Sequence, residues 1–212
     1  MKNTIVLDNN SKEIQYLSNN DKRLASLISI IGNLSYETYE DLYSFIVCQI
    51  ISQMLSIKAA NKIYTRLEEL CNNQITAEKI NILSYEKIKN IGISNSKTKS
   101  IKEFTSAVIN REIDLDSFKN LSDDDIIKKL TKIHGIGSWT SKMFLIFCLN
   151  RQNILPYEDL TFIAAYKWLY KLENTTKDYV IKNCQKWQPY SSIAARYLYK
   201  AFDDGLVYSL IK

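Results

Sequence analysis

The stretch Leu130-Thr131-Lys132-Ile133-His134-Gly135-Ile136-Gly137-Ser138-Trp139-Thr140 decides how this chain is read. Upstream of it, Ser122-Asp123-Asp124-Asp125 reads as a helix start, with acids at the positive end of the helix dipole. Ile126, Ile127, Leu130 and Ile133 then recur at helical spacing. Downstream, Ser138 opens a second helix, apolar nearly all round from Met143 to Leu149, as a central helix requires. Between the two, Gly135 and Gly137 let the backbone turn tightly and come close to another surface. The second helix starts with N–H groups at its positive end, a site suited to phosphate. Gly135, Ile136, Gly137 and Ser138 would make that contact, with the Thr140 hydroxyl and the Lys142 charge beside them. Such a contact holds a nucleic-acid backbone without reading its bases. A glycine-capped turn between any two helices has the same pattern, so the hairpin alone leaves both readings open.

Composition narrows the class. Of 212 residues, 46% are hydrophobic and 24% charged, which supplies a core and excludes a disordered chain. Five glycines and two prolines are too few for the turns of a β-sandwich or barrel, so a mostly helical fold is expected. The net charge of +5 permits nucleic acid without requiring it. The longest apolar run, Met143 to Leu149, is far short of a membrane span, and residues 1–10 lack a secretory signal's apolar region. An intracellular, nucleoid-associated protein without membrane contact is therefore expected. Cys48, Cys71, Cys148 and Cys184 form no C-x-x-C ladder, which argues against zinc or iron–sulfur ligation. Lysines 87, 89, 97, 99 and 102 cluster between Glu86 and Glu103, and Lys128, Lys129 and Lys132 approach the hairpin. They read as a basic surface in support of nucleic acid.

Elsewhere the pattern gives two helices between Asp41 and Leu67, short helices over 78–83 and 85–91 with a stop at Gly92, and a helix over 97–110. Helices are also expected over 157–172 and 191–202, with one short strand at 4–7. Asp159 lies twenty-two residues past Gly137, in Leu155-Pro156-Tyr157-Glu158-Asp159-Leu160. Pro156 fixes the entry to the following helix, where an Asp suits an N-cap. A carboxylate held there also suits stabilisation of a developing cation, and the two roles are compatible.

Five ordered segments together carry a resemblance. They are Ile50-Ile51-Ser52-Gln53-Met54-Leu55-Ser56-Ile57-Lys58-Ala59-Ala60-Asn61-Lys62-Ile63, Gly92-Ile93-Ser94-Asn95-Ser96-Lys97, Ile133 to Ser141, Pro156 to Leu160, and Trp187 to Leu198. These resemble the helix-hairpin-helix–GPD superfamily of DNA glycosylases, in particular its 3-methyladenine DNA glycosylase II branch in a compact form without the N-terminal β domain. Met54 stands where that branch has a second Gln, and Ser191 where it has Arg.

The resemblance implies an all-α fold of two helical subdomains flanking a cleft. Residues 36–148 would form a helical barrel carrying the hairpin, and residues 1–35 with 149–212 the second subdomain. It implies a monomeric, monofunctional enzyme of base excision repair. That enzyme flips an alkylated purine of the 3-methyladenine type out of double-stranded DNA and hydrolyses its glycosidic bond. Asp159 would be the catalytic carboxylate, and Trp139, Trp187 and Met143 the base pocket. Trp139 stands where bifunctional relatives have a catalytic Lys, so no lyase step is expected. Ile93 or Asn95 would be the wedge, with Gln53 and Met54 on the orphan-base side. No cofactor is required. A structural Na or K ion would sit on the main-chain carbonyls of Thr131, Ile133 and Ile136. The rival readings are a glycosylase for an oxidised, mismatched or deaminated base, and a non-catalytic DNA-binding module.

Overall fold

The structure is a computed structural model that describes residues 4–208. Along the chain run β1 (Thr4–Leu7), α1 (Lys12–Asn20), α2 (Lys22–Ile31) and β2 (Leu34–Glu37). There follow α3 (Leu42–Ser52), α4 (Ile57–Leu70), α5 (Ala77–Ile82), α6 (Tyr85–Asn90), α7 (Asn95–Ile109), α8 (Asp123–Leu130) and α9 (Ser138–Phe147). The chain closes with α10 (Leu160–Tyr170), α11 (Lys177–Cys184) and α12 (Ser191–Asp203). Among the described residues the fold is all-α but for one two-stranded sheet, and no described helix is long and apolar enough to cross a membrane.

The chain divides into two compact units, residues 1–38 with 150–212 and residues 39–149. The division after Thr38, rather than after residue 35, has a physical reason. Tyr36 and Glu37 belong to β2, which pairs antiparallel with β1 in the register Thr4↔Glu37 to Leu7↔Leu34. That pairing ties them to the N-terminal segment.

In the unit built from both chain segments, Leu17, Leu24 and Leu27 pack with Phe162, Ala165, Tyr166, Trp187, Ala194, Tyr197 and Leu198. Alanines 194, 195 and 201 on α12 are fully buried, and their small side chains admit close neighbours. The turn after α2 is made at Gly32, whose φ of +74° suits glycine, and whose carbonyl accepts the Tyr197 hydroxyl at 3.1 Å. Asp159 caps α10, which begins at Leu160 rather than 157, because Pro156 and the Asp159 N–H close a turn at 2.9 Å.

The unit of residues 39–149 packs α3 against α4, α7 and α9, with α5 and α6 on α7 and α8 on α9. Its centre holds Ile46, Ile50, Phe104, Phe118 and Phe144, all essentially inaccessible. Tyr43 stacks on Phe104 at 5.2 Å and shares a 2.7 Å hydrogen bond with Thr105. Serine or threonine N-caps start α4, α5, α6, α7 and α8, each hydroxyl accepting a backbone N–H. Asp41 caps α3 in the same way, whereas the N-cap of α9 is Gly137, which has no side chain to offer.

Candidate active site and nucleic-acid interface

The hairpin is built by α8, a turn closed by the Ile136 N–H on the Ile133 carbonyl (3.1 Å), and α9. Its two glycines do different work. Gly135 has φ +77°, and a Cβ there would lie 2.1 Å from Ser100 Oγ and 3.0 Å from Ser100 Cβ on α7. A side chain at this position would collide with α7. Gly137 is extended (φ −99°, ψ −177°), and a Cβ there would meet nothing within 4 Å. Its bareness faces outward. Ile136 is the anchor, 3% exposed, while Gly135 and Gly137 are exposed and Ser138 half-buried.

Two residues expected at this surface are elsewhere. Thr140 is 1% exposed and its hydroxyl accepts the Gln53 amide at 3.3 Å. Lys142 is 8% exposed. α9 is buried on most of its circumference, so residues one turn inside it cannot stay at the surface with Ser138. Trp139 is half-buried and Met143 buried on the same helix.

The basic cluster is also not the surface that its composition suggests. Lys97 Nζ donates to the carbonyls of Ile51 (2.8 Å) and Gln53 (2.6 Å), closing the end of α3. Lys102 Nζ donates to Ile80, Asn81 and Leu83 carbonyls at 3.3, 3.0 and 3.0 Å, closing the end of α5. Lys89 and Lys99 pair on the surface with Glu86 and Glu103. Exposed cations nearer the hairpin are Lys128, Lys129 and Lys132.

The loop after α3 supplies a side chain that the sequence reading placed in another role. Met54 is 98% exposed on a backbone with φ +56°, a left-handed conformation that a non-glycine residue adopts at a cost. Ile93, expected as a wedge, is 4% exposed and packs in the core; Asn95 is exposed as the first residue of α7. Gln53, expected to face an orphan base, instead donates its amide to the Gly135 carbonyl at 2.9 Å.

In the other unit, the Asp159 carboxylate accepts the Phe162 N–H at 2.8 Å. It also accepts the hydroxyl of Tyr199, and burial together with that charge pushes the phenol well above its usual range. Arg196 lies over the Tyr36 ring at 3.8 Å, close enough to Tyr199 to influence it, and burial lowers its own pKa. Ser192, Arg196 and Tyr199 fall at i, i+4 and i+7 on α12, one helix face. That spacing was the available signal for Tyr199 and Arg196, which sequence reasoning missed.

Trp187, expected in the base pocket, is 0% exposed, and its indole N–H donates to Asp21 at 2.9 Å. Asp21 caps α2 through the Arg23 and Leu24 N–H groups, and also accepts Tyr170 and Lys186. The half-buried aromatic of that segment is Tyr190, edge-on to Tyr16 with centroids 5.4 Å apart. Among the described residues, no three His, Cys, Asp or Glu side chains are grouped to hold a metal ion.

A glycine-turned hairpin ending in an uncapped helix start, and an Asp at a later helix start, is the arrangement that known proteins can be compared with. Residues 47–189 match the family model described as HhH-GPD superfamily base excision DNA repair protein. The chain belongs to the HhH-GPD superfamily. The DNA-3-methyladenine glycosylase 1 of Schizosaccharomyces pombe is 35% identical over 87% of this chain and 84% of its own length. The solved S. pombe 3-methyladenine DNA glycosylase in complex with abasic DNA superposes with a TM-score of 0.85 at 33% identity, covering 91% of this chain and 97% of that one. A DNA-3-methyladenine glycosidase from Bacillus halodurans superposes at 0.84, with 32% identity over 94% of each chain. In this HhH-GPD chain the matched region includes the Met54 loop, the hairpin, Asp159 and Trp187.

Proposed function

We propose that this chain is a monofunctional DNA glycosylase of base excision repair that removes alkylated purines of the 3-methyladenine type from double-stranded DNA. The observation that carries the reading is Asp159, held at the start of α10 by the Phe162 N–H and by Tyr199. A carboxylate oriented from two sides suits a reaction whose transition state places positive charge on a sugar. The names of the S. pombe relatives support the lesion class.

In this mechanism the hairpin amides around Gly135 to Ser138 hold a phosphate, and Lys128, Lys129 and Lys132 add screened attraction. The damaged nucleotide leaves the stack, since its glycosidic bond is out of reach inside the duplex. Met54, exposed and aimed outward by its backbone, takes the vacated space in preference to Ile93 or Asn95. The Trp139 indole attracts the alkylated purine, which is cationic, by about 0.5–2 kcal/mol. The C–N bond then breaks with its electron pair going to the purine, which departs neutral. Water adds to the sugar carbon, and its proton passes to solvent by way of Asp159. Trp139 offers no amine, so no Schiff base forms and an abasic site is left.

The carbonyls of Thr131, Ile133 and Ile136 would hold a monovalent cation at the negative end of α8. The Ile133 carbonyl keeps one lone pair for it beside the Ile136 N–H. The protein acts as a monomer inside the cell. Incubation with methylated duplex and mass analysis of the freed base tests the reading. Release of 3-methyladenine by the native chain and not by Asp159→Asn is expected. Release of 8-oxoguanine or uracil without any methylpurine would overturn it.

A further inference from the structure

We propose that Lys97 and Gln53 are positioning residues that lock the Met54 loop to the hairpin, so that wedge insertion and phosphate seating occur as one event. The inference rests on the function proposed above.

The geometry converges on one junction. α3 ends at Ser52, and two residues later the chain passes through the left-handed conformation of Met54. A non-glycine residue stays there only when its surroundings hold it. The Lys97 ammonium provides the hold. It donates to the carbonyl of Ile51 within the last turn of α3 and to that of Gln53 immediately before Met54. These carbonyls lie at the negative end of the helix dipole, where a cation is favoured. The Gln53 side chain then reaches away from the loop, to the Gly135 carbonyl at 2.9 Å and to Thr140 at 3.3 Å. Carbonyl, ammonium, amide and hairpin thus form one continuous path from Met54 to the proposed phosphate site.

α7 is the platform beneath both ends. Lys97 lies on its first turn, and Ser100, one turn on, is the residue against which Gly135 is seated. Glu103 accepts the His134 N–H of the hairpin at 3.3 Å, and Ser96 contacts the His134 ring at 3.4 Å. Burial lowers the Lys97 pKa, as withdrawal of a cation from solvent does. An exposed wedge on a mobile loop would lose its preorganisation; here the hydrogen bonds of Lys97 and Gln53 tie the loop to α7 and to the hairpin.

Lys97→Met keeps the stem and removes the donor. Lys102→Met is the control, since it removes an equivalent lysine cap from α5 in the same unit. Each is made in the native chain and in Met54→Ala. Single-turnover release of methylpurine is measured, with the fluorescence of 2-aminopurine beside the lesion as a report of unstacking. Lys97→Met should lower both by about tenfold or more, since small misplacements of reacting groups have effects of that order or larger. Lys97→Arg should restore part of the loss, and Lys102→Met should change neither signal by as much. In Met54→Ala, Lys97→Met should have little further effect, because the residue it positions has gone. Equal losses from Lys97→Met in both backgrounds, or equal losses from Lys97→Met and Lys102→Met, overturn the inference. Absence of base release by the native chain refutes the proposed function instead, and the coupling is then read from 2-aminopurine alone.

Discussion

Tyr199 donates its hydroxyl to the carboxylate of Asp159, the same group that accepts the backbone N–H of Phe162. The carboxylate is therefore oriented by α10 through its cap and by α12 through a side chain. Loss of a hydrogen bond to a charged group is worth about 1.5–3 kcal/mol. Tyr199→Phe should slow base release by about tenfold or more while leaving affinity for undamaged duplex close to native. Asp159→Asn should lose more than about a hundredfold. A Tyr199→Phe enzyme with native single-turnover rates would show that the hydroxyl plays no part in orienting the carboxylate.

The two hairpin glycines should respond differently to alanine. Gly135→Ala forces a Cβ to within 2.1 Å of Ser100 Oγ at a positive φ, so stability should fall by about 2–3 kcal/mol and DNA binding with it. Gly137→Ala meets nothing inside the protein and should cost less than about 1 kcal/mol, through N-cap preference alone. Its effect should appear instead in DNA affinity. Urea unfolding and duplex binding of both variants separate the cases; equal destabilisation would contradict the packing argument.

Met54 should be a residue whose replacement helps the fold and harms the reaction. Met54→Gly removes the penalty of φ +56°, so stability should hold or rise by up to about 1 kcal/mol. Base release should fall about tenfold as the wedge is lost. A glycine variant that releases base at the native rate rules Met54 out as the wedge.

Asp21 makes stability depend on acid pH. Burial alone would raise its pKa, but hydrogen bonds from Tyr170, Trp187, the Leu24 N–H and Lys186 outweigh burial and hold it below the ordinary value. Unfolded, the group titrates near about 3.9. The folded form binds protons less readily, so the contribution is complete above that value and is lost as pH falls through the lowered folded pKa. Asp21→Asn should lose about 2–3 kcal/mol at neutral pH, with the gap to native narrowing as pH falls below about 4. Urea titrations across that range check it, and a gap independent of pH would exclude the carboxylate's charge as the cause.

Local signals made most helices readable from sequence: the caps at Ser84, Ser94 and Ser122, the hairpin glycines, and the Pro156 turn are all short-range chemistry. β2 and α1 were less legible, since Leu34–Glu37 becomes a strand only through pairing with residues some thirty positions earlier. The site followed the same division. Asp159 and the hairpin lie in compact motifs. Tyr199, by contrast, finds its partner forty residues away, and Lys97 and Lys102 look like surface charge until the helix ends they close are in place. Trp187 and Tyr190 are three residues apart, and only tertiary packing decides which of them is buried.

The division of the chain has a consequence for how it is made. Residues 39–149 are a continuous segment, flanked in sequence by the two segments that together make the other unit. A nascent chain can complete the unit of residues 39–149 while Leu17, Leu24, Leu27 and Ile28 of α1 and α2 still lack Phe162, Tyr166 and Ala194, which complete their core. Synthesis thus leaves an early amphipathic helix pair uncovered until the last third of the chain emerges. During that interval, rather than in the finished fold, the molecule is most exposed to aggregation and to chaperone capture.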